Sequence, residues 1–396
     1  MRLKTGKCVH RRSTWTRLGG YCSAESGWDP LREELVQGLY LIQGVVERRN
    51  TQPILAHVLI EPVEGGLALA ATDMEVGLRY QLPAETKRKG ATTINARKLY
   101  EIAREVSAEE LTLRSSTEGW VDVVAGRSRF KVVSFPPKDF PELPLGAGVG
   151  GGTQLRVAAG TLREMIDKTL FAVSTDETRF NLSGVYVETP EPGTLRMVAT
   201  DGHRLALVDR TVADAKLPRG VIMSRKGLAE VRKLLEETGE AELTLVVAEK
   251  DVRVHTPAVS FFMRLVEGEF PDYKQVIPSA PRLRAQLGRD DFLAAVRRTA
   301  LMASERSHGV KMHLESGTLE LSASNPDAGE ASEDLEVAYT GEPMTIGFNG
   351  KYLIEVLGAH AAGDTIELGL TDEVGPGVVR GSQDPSYTYV LMPMRL

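Results

Sequence analysis

The sequence is poor in the residues and motifs that mark the common enzyme and metal sites. Of 396 residues only Cys8 and Cys22 are cysteines, so the rest of the chain has neither a disulfide framework nor a cysteine metal site. Its seven histidines never fall at metal-ligand spacing on a helix, and no Walker, dinucleotide-binding or Gly-x-Ser-x-Gly pattern occurs. No apolar run approaches the length of a membrane span. The sequence therefore predicts no metal, no cofactor and no membrane partner, and a cytoplasmic protein is the simplest interpretation.

Outside the N-terminus the acidic residues outnumber the basic ones. Residues 1–24 carry six basic residues and no acid, and because the whole chain has a formal charge of −6, the remainder carries −12. An acidic body argues against a protein that coats nucleic acid by bulk charge, although one basic surface remains compatible with it. Residues 1–29 show no helical or strand periodicity, so we predict that they form a disordered extension outside the fold.

The remaining chain repeats itself with a period of 125–130 residues. Four independent landmarks share this period: a strand-ending acid, a polar turn, the lysine that opens a second helix and a Phe-Pro pair. They fall at Glu61, Glu188 and Glu315; Thr72, Thr200 and Asn325; Lys98, Lys226 and Lys351; and Phe140 and Phe270. The pattern predicts an α+β fold of three tandem domains at 30–144, 153–275 and 283–396, each with two helices packed on about eight short antiparallel strands.

Cations gather on the predicted helices. If three copies place equivalent helices on one side of the molecule, these cations add into a stripe that suits phosphate contacts rather than base reading. A solvated helix face is the simpler alternative, because the same helices also carry acids.

A polar turn near the middle of the chain is the best candidate for catalysis. Asp201, His203 and Arg204 lie between two apolar strands, and a hydrolase built on these three residues is one hypothesis. The first and third copies of the turn lack the histidine and the arginine. We therefore favour a binding role over chemistry.

The C-terminus is the second candidate. Residues 389–396 read as a closing strand, but Pro393 disfavours a central strand, and the methionines on either side of it make an adaptable apolar surface. This combination suits a groove for short apolar peptides.

Taken together, residues 31–396 closely resemble the bacterial sliding clamp family, the beta subunit of DNA polymerase III. The resemblance rests on short segments throughout the chain, namely Pro53-Ile-Leu, Ala71-Thr-Asp-Met-Glu, Gly126-Arg-Ser-Arg-Phe, Val198-Ala-Thr-Asp-Gly-His-Arg-Leu-Ala, Phe270-Pro-Asp-Tyr, Ile346-Gly-Phe-Asn and Val390-Leu-Met-Pro-Met-Arg-Leu. It implies a non-catalytic processivity factor: a head-to-tail homodimer that forms a six-domain ring, with helices lining a hole for duplex DNA. The implied partners are double-stranded DNA of any sequence, the polymerase catalytic subunit, the clamp loader and other proteins with short apolar clamp-binding peptides.

Three sets of site residues follow from this resemblance. The peptide-binding set is Arg179, Leu182, Thr200, Gly202, His203, Arg204, Leu205, Pro278, Asn349, Tyr352, Val374, Val390, Met392, Pro393, Met394 and Arg395. The DNA-facing set is Arg49, Arg97, Arg104, Arg225 and Lys226. The subunit interface would join Arg127, Arg129, Phe130 and Lys131 of one copy to Leu301, Met302, Glu330, Glu333 and Asp334 of the next.

The sequence departs from the family pattern in two places. The family begins with a short strand, whereas Ser26-Gly-Trp-Asp-Pro30 stands there and does not itself predict one. The loop Thr175-Asp-Glu-Thr178 is acidic where some relatives contact DNA. A clamp paralogue that serves repair or antibiotic self-resistance is therefore an alternative to the replicative clamp.

Overall fold

The computed structural model describes residues 26–46, 52–88, 90–115, 119–145, 151–176, 178–238 and 241–395. Within these ranges the chain forms three successive groups, each of eight strands and two α-helices. This arrangement confirms the predicted α+β triplication. No described helix is long and apolar enough to cross a membrane.

The three groups follow the chain in the same element order. The first contains β1 (Ser26–Pro30), α1 (Arg32–Val45), β2 (His57–Val63), β3 (Gly66–Thr72), β4 (Val76–Arg88), β5 (Thr92–Asn95), α2 (Ala96–Glu105), β6 (Thr112–Ser115), β7 (Trp120–Ala125) and β8 (Ser128–Val133). The second contains β9 (Thr153–Ala158), α3 (Ala159–Thr169), β10 (Gly184–Glu188), β11 (Thr194–Thr200), β12 (Arg204–Thr211), β13 (Val221–Ser224), α4 (Arg225–Thr238), β14 (Glu242–Val247), β15 (Asp251–His255) and β16 (Val259–Arg264). The third contains β17 (Leu283–Gly288), α5 (Arg289–Thr299), β18 (Gly309–Glu315), β19 (Thr318–Asn325), β20 (Gly329–Glu336), β21 (Met344–Asn349), α6 (Gly350–Ala359), β22 (Thr365–Leu370), β23 (Gly377–Gly381) and β24 (Tyr387–Leu391).

Simple sequence signals account for the helices. Leu35, Leu39 and Ile42 recur at helical spacing in α1 and are fully buried. Helices α2 and α6 each begin after an asparagine whose side-chain oxygen accepts a backbone N–H of the first turn. This N-cap satisfies a donor that the helix itself leaves unpaired, and its position fixes where the helix starts.

The first strand corrects the predicted N-terminal extension. We predicted that residues 1–29 lie outside the fold, but Ser26–Pro30 forms β1 and pairs on both sides, with β4 and with β6. Its backbone hydrogen bonds to two neighbours form the strand without any apolar alternation in its sequence. Pro30 lies at the strand's end, where a missing N–H is tolerated. Residues 1–25 lie outside the described residues, so disorder there stays a prediction.

The sheets run continuously from one domain into the next. Strand β4 of the first domain pairs with β16 of the second, and β12 of the second pairs with β24 of the third. In both joints the first residue of the earlier strand lies opposite the fifth residue of the closing strand: Val76 opposite Met263, and Arg204 opposite Leu391. Each joint is therefore held by an antiparallel backbone ladder as well as by side chains.

Two strands at positions that form joints elsewhere in the repeat, β8 and β20, each keep an open outer edge within the described part of the chain. Strand β8 ends a twelve-stranded sheet, and β20 ends a four-stranded sheet. Strand β20 is the third-domain counterpart of β4 and β12, and β8 is the first-domain counterpart of β16 and β24. An open edge presents unpaired backbone groups that template pairing with another chain.

The third domain buries a histidine whose ring nitrogens have no hydrogen-bond partner among the described residues. His360 is 4% exposed, and neither ring nitrogen hydrogen-bonds to a described residue; the nearest carboxylate, on Asp364, is 3.6 Å from Nδ1. Burial lowers the pKa of His360 to about 4, against the partial compensation of Asp364. Between pH 6.5 and 4 the folded protein thus binds fewer protons here than the unfolded chain.

We predict that the free energy of unfolding falls as the pH is lowered through this window, and that His360→Phe flattens the fall. One such histidine contributes up to about 1.4 kcal/mol per pH unit. The measurement is urea unfolding of both proteins at several pH values between 5 and 7. Parallel curves for the two proteins would contradict the assignment, whatever their absolute stabilities.

Candidate functional site

The turn between β11 and β12 is built by its own side chains. Thr200 Oγ1 donates to the Arg204 carbonyl (2.6 Å) and accepts the Gly202 N–H (3.1 Å). Asp201 Oδ1 accepts the backbone N–H groups of His203 (2.9 Å) and Arg204 (3.1 Å). Gly202 has φ +89°, and a Cβ there would lie 3.0 Å from Arg179 Nη1. The turn therefore needs threonine and aspartate for its shape and has little room for a larger residue than glycine at its tip.

The first domain contains the same turn without the same surroundings. Thr72 and Asp73 make the equivalent bonds to Val76 and Glu75, and Met74 takes the positive φ of Gly202. The turn is thus a device of the repeat, and what distinguishes the second copy is what packs around it.

A small apolar cavity lies beside the second turn, where the second and third domains meet. Its volume is about 180 Å³. The lining residues are Leu182, Thr200, Gly202, Arg204, Leu205, Pro271, Asp272, Tyr273, Val276, Val390 and Met392. Leu205 and Val390 lie opposite each other in the ladder that joins the domains, so the cavity sits directly on the joint. Concave, mostly apolar and bounded by a few polar groups, it has the character of a site for apolar side chains.

The equivalent position in the first joint is filled. There Gly77 and Phe262 replace Leu205 and Val390 in the same register. The Phe262 ring would lie 2.2 Å from a Cβ on Gly77, and Phe262 is only 4% exposed. A phenyl ring over a glycine therefore plugs the place where the second joint keeps a cavity.

Arg204 spans the joint behind the cavity. Nε donates to Asp201 Oδ2 (3.0 Å), Nη2 donates to the Phe171 carbonyl (2.5 Å), and Nη1 pairs with Glu355 on α6. The guanidinium also stacks on Tyr352 at 4.1 Å and lies 5.5 Å from the Phe171 ring. We expected Arg204 to anchor a bound peptide, but its side chain is 7% exposed and its donors serve the protein itself. It acts as a latch between the domains that also shapes the wall of the cavity.

A second network ties the same two domains together. Asp384, in the turn before β24, accepts from Arg210 Nη2 (2.6 Å) and pairs with Lys168, while Arg210 also binds Glu164 (2.6 Å). Burial alone would raise the pKa of Asp384, but the hydrogen bonds from Arg210 and Lys168 outweigh it and hold the pKa below its usual range. The joint that carries the cavity is therefore fastened at several points.

The structure brings only part of the predicted peptide-binding set to the cavity. Seven of its members line the cavity: Leu182, Thr200, Gly202, Arg204, Leu205, Val390 and Met392. Two lie at its rim, because Arg179 Nη1 donates to the Asp201 carbonyl (3.4 Å) and the His203 carbonyl accepts the Met392 N–H (2.9 Å).

The other predicted members lie farther along the third domain or outside the cavity lining. Asn349 caps α6, Tyr352 stacks on Arg204, and the Met394 N–H donates to the Gly347 carbonyl (2.8 Å). Val374 is 79% exposed on a turn, and Pro278 and Pro393 are half-buried. Arg395 borders a wider polar depression of about 800 Å³ on β18–β20.

Sequence reasoning missed one wall of the cavity. Pro271, Asp272, Tyr273 and Val276 line it opposite Leu205. The Tyr273 hydroxyl is held by Glu188 (2.5 Å) and Arg196 Nη1 (3.0 Å). The signal for this wall is the motif Phe270-Pro-Asp-Tyr, which places apolar residues next to the predicted joint.

The catalytic interpretation of the turn fails on geometry. The Asp201 carboxylate accepts hydrogen bonds from two backbone N–H groups and from the Arg204 side chain, and Arg204 is buried in the joint. The His203 ring hydrogen-bonds to no described residue, so it lacks the orienting partner that a general base needs.

Three members of the predicted DNA-facing set are exposed on helices. Arg97 and Arg104 lie on α2, and Arg225 begins α4. Lys226 differs, because its ammonium pairs with the buried Asp73 carboxylate at the first joint. Its charge is thus already engaged within the protein. Arg49 lies outside the described residues.

The predicted interface residues lie on and beside the two open edges. Arg127, Arg129, Phe130 and Lys131 belong to β8 or the turn before it, and Glu330, Glu333 and Asp334 belong to β20. Leu301 and Met302 form a 3₁₀ turn after α5, where Leu301 is 77% exposed. One edge is basic and the other acidic, although Glu333 also receives a hydrogen bond from Arg298 Nε (2.9 Å).

Comparison with known proteins identifies the family. Three family models match in order: the DNA polymerase III beta subunit N-terminal domain over residues 31–144, its central domain over 156–272 and its C-terminal domain over 274–395. The beta sliding clamp of Caulobacter vibrioides is 39% identical over 371 residues, covering 92% of this chain and 98% of that protein. That of Escherichia coli K12 is 33% identical over 367 residues, with the same coverage.

Solved structures agree with these sequences. The C. crescentus beta sliding clamp superposes with a TM-score of 0.90 at 38% identity, covering 95% of this chain and all of that one. A sliding clamp from Bartonella birtlesii, solved bound to griselimycin, gives 0.89 at 35% identity, covering 94% of this chain and all of that one. The chain belongs to the family of the DNA polymerase III beta subunit, and it is a sliding clamp: a non-catalytic processivity factor of DNA replication.

We predict that Arg204→Lys weakens the joint more than any exposed Arg→Lys change. Lysine keeps the charge but cannot bond Asp201, Glu355 and the Phe171 carbonyl together, so we expect a loss of at least about 2 kcal/mol of unfolding free energy. Urea unfolding measures the loss, with Arg225→Lys, on the exposed start of α4, as the matched control. Equal stability of the two variants would show that the Arg204 contacts do not stabilise the joint.

Proposed function

We propose that two copies of this sliding clamp close head to tail into a ring of six domains, that duplex DNA passes along the helical side, and that partner proteins insert short apolar peptides into the cavity at the second joint. The observation that carries this proposal is the pair of open edges. Two of the three expected joints are made within the chain, and the strands for the third, β8 and β20, each lack a partner on one side within its described part. A head-to-tail contact that closes after two copies satisfies both edges.

The register of the internal joints predicts the register of the third. If the first residue of β20 lies opposite the fifth residue of β8, Gly329 faces Val132 of the second copy. Glu330 then faces Lys131, and Asp334 faces Arg127. Directly opposed residues of an antiparallel pair interact most strongly, so opposite charges there favour this register over a slipped one.

An apolar contact supports the same arrangement. In the second joint the Phe171 ring lies 5.9 Å from the Tyr389 ring. Leu301 is the third-domain counterpart of Phe171, and Phe130 is the first-domain counterpart of Tyr389. Closure would bring Leu301 against Phe130 of the second copy, which accounts for the high exposure of Leu301 in the single chain.

Charge reversal tests the ring. Glu330→Lys and Lys131→Glu should each weaken the dimer about tenfold or more by placing like charges opposite each other, and the double variant should recover most of the loss. Light scattering on a dilution series reads the dimer, whose mass is twice 43.2 kDa. Glu373→Lys, an exposed acid away from both edges, is the matched control.

The DNA readout completes this experiment. With a clamp loader, the dimer should stay on nicked circular DNA and leave it when the circle is cut, because a ring holds by topology. A stable monomer, or retention that survives linearisation, would refute ring closure.

Peptide binding in the cavity has a separate test, in which the residue pair that fills the first joint is introduced into the second. Leu205→Gly combined with Val390→Phe recreates the Gly77 and Phe262 pair. Because relatives are solved bound to griselimycin, this compound is the probe. We expect the double variant to bind it at least tenfold more weakly by calorimetry, with the dimer intact. Unchanged affinity for griselimycin would show that the compound binds outside the cavity.

A further inference from the structure

Two tyrosines stand together on the helical side of the first domain. The rings of Tyr40 on α1 and Tyr100 on α2 lie 6.4 Å apart, with 36° between their planes. Tyr40 is 39% exposed although it belongs to a helix whose apolar residues are buried. The sequences of the described helices hold one other tyrosine, Tyr352, whose ring is stacked on Arg204. The pair is therefore particular to the first domain and not a device of the repeat.

A cation is fixed against each ring. Lys233 Nζ, from α4 of the second domain, lies 4.0 Å from the centre of the Tyr40 ring and donates to the Tyr40 carbonyl (2.7 Å). The Arg104 guanidinium lies 5.7 Å from the centre of the Tyr100 ring. Arg104 forms no ion pair with a described residue, whereas Arg97 and Lys98 on the same helix share Glu101. Each ring thus has a positive charge over its face at the seam of α1, α2 and α4.

The hydroxyl groups of the two tyrosines are available to a ligand as far as the described residues show. Neither the Tyr40 nor the Tyr100 hydroxyl hydrogen-bonds to any residue in the described ranges, while the hydroxyls of Tyr273 and Tyr339 both bond to protein acceptors. A cation already occupies a face of each ring, which leaves the hydroxyl as the free polar group. Such a group suits an acceptor such as a phosphate oxygen, and the arrangement disfavours stacking on a base.

We propose that Tyr40 and Tyr100, with Lys233 and Arg104 beside them, form a phosphate-binding patch for duplex DNA on the helical side of the first joint. The proposal rests on the proposed function, in which DNA passes along this side. The two hydroxyls donate neutral hydrogen bonds to phosphate oxygens, and Arg104 supplies the charge. The tyrosines also position the cations, since each ring fixes one of them.

Salt dependence separates the two kinds of contact. A cation that neutralises a phosphate releases counterions, so its loss lowers the slope of log affinity against log salt by about one. A phenol carries no charge, so its loss weakens binding at every salt concentration and leaves the slope alone. Tyr→Phe keeps the ring, its packing and its cation, and removes only the hydroxyl.

The experiment measures binding of the full-length dimer to a short fluorescent duplex by anisotropy, over a series of salt concentrations. We expect Tyr40→Phe/Tyr100→Phe to bind about three- to tenfold more weakly with an unchanged slope. Arg104→Gln should reduce the slope by about one. Tyr186→Phe, whose ring is stacked on Phe270 in the second domain, is the matched control and should bind like the parent.

Each outcome decides something. If the parent protein shows no salt-dependent binding, the proposed passage of DNA fails, independently of the patch. If the parent binds and the double Phe variant matches it, the patch is wrong. A double Phe variant that loses slope as well as affinity would also overturn the proposal, because the tyrosines would then act only through their cations.

Discussion

The fold depends on one interaction: antiparallel pairing of backbones across the joints between domains. The ladders of β4 with β16 and of β12 with β24 join strands of neighbouring domains into a twelve-stranded and an eight-stranded sheet. Short domains with their own cores would otherwise move against each other. Backbone pairing fixes the register, and the register in turn decides which side chains meet at each joint. The cavity, the latch of Arg204 and the predicted ring contact all follow from that alignment.

The joints share one register of backbone pairing and differ in one pair of opposed residues. A glycine under a phenyl ring closes the first joint, Leu205 and Val390 leave a cavity in the second, and the same register would place Glu330 against Lys131 in a third. These pairs give a solid contact in the first joint, a cavity in the second and, in the proposed ring, a subunit contact between opposite charges. An interface that must open on demand is better held by charges near solvent than by a buried ring, because such charges are worth less and separate into water at little cost.

Much of this architecture was predictable because repetition makes weak signals strong. A single Thr-Asp turn in a sequence is ambiguous. Its recurrence at Thr72 and Thr200, 128 residues apart, indicates both the period of the repeat and the two strands that flank each turn, and the two threonines make the same hydrogen bonds. Strand β1 was missed because its partners, not its sequence, make it a strand. The pairing of Arg204 and Lys226 was not predictable for one physical reason: a sequence shows where a charge is along the chain, but not which carboxylate lies across a domain boundary. Both side chains proved to be paired at joints.

The pairing of cations at the joints affects how an acidic chain can bind DNA. Lys226, Lys168, Arg204 and Arg210 serve the joints, and Glu101 offsets two cations of α2, so fewer positive charges face outward than the composition suggests. A protein that held DNA by affinity would be poorly served by this arrangement, since each engaged cation removes a phosphate contact. A ring holds by closure, and strong contacts would slow its sliding. Uncharged donors such as the tyrosine hydroxyls fit this requirement. They bind phosphates without adding an ion pair that would have to be broken each time the clamp moves along the DNA.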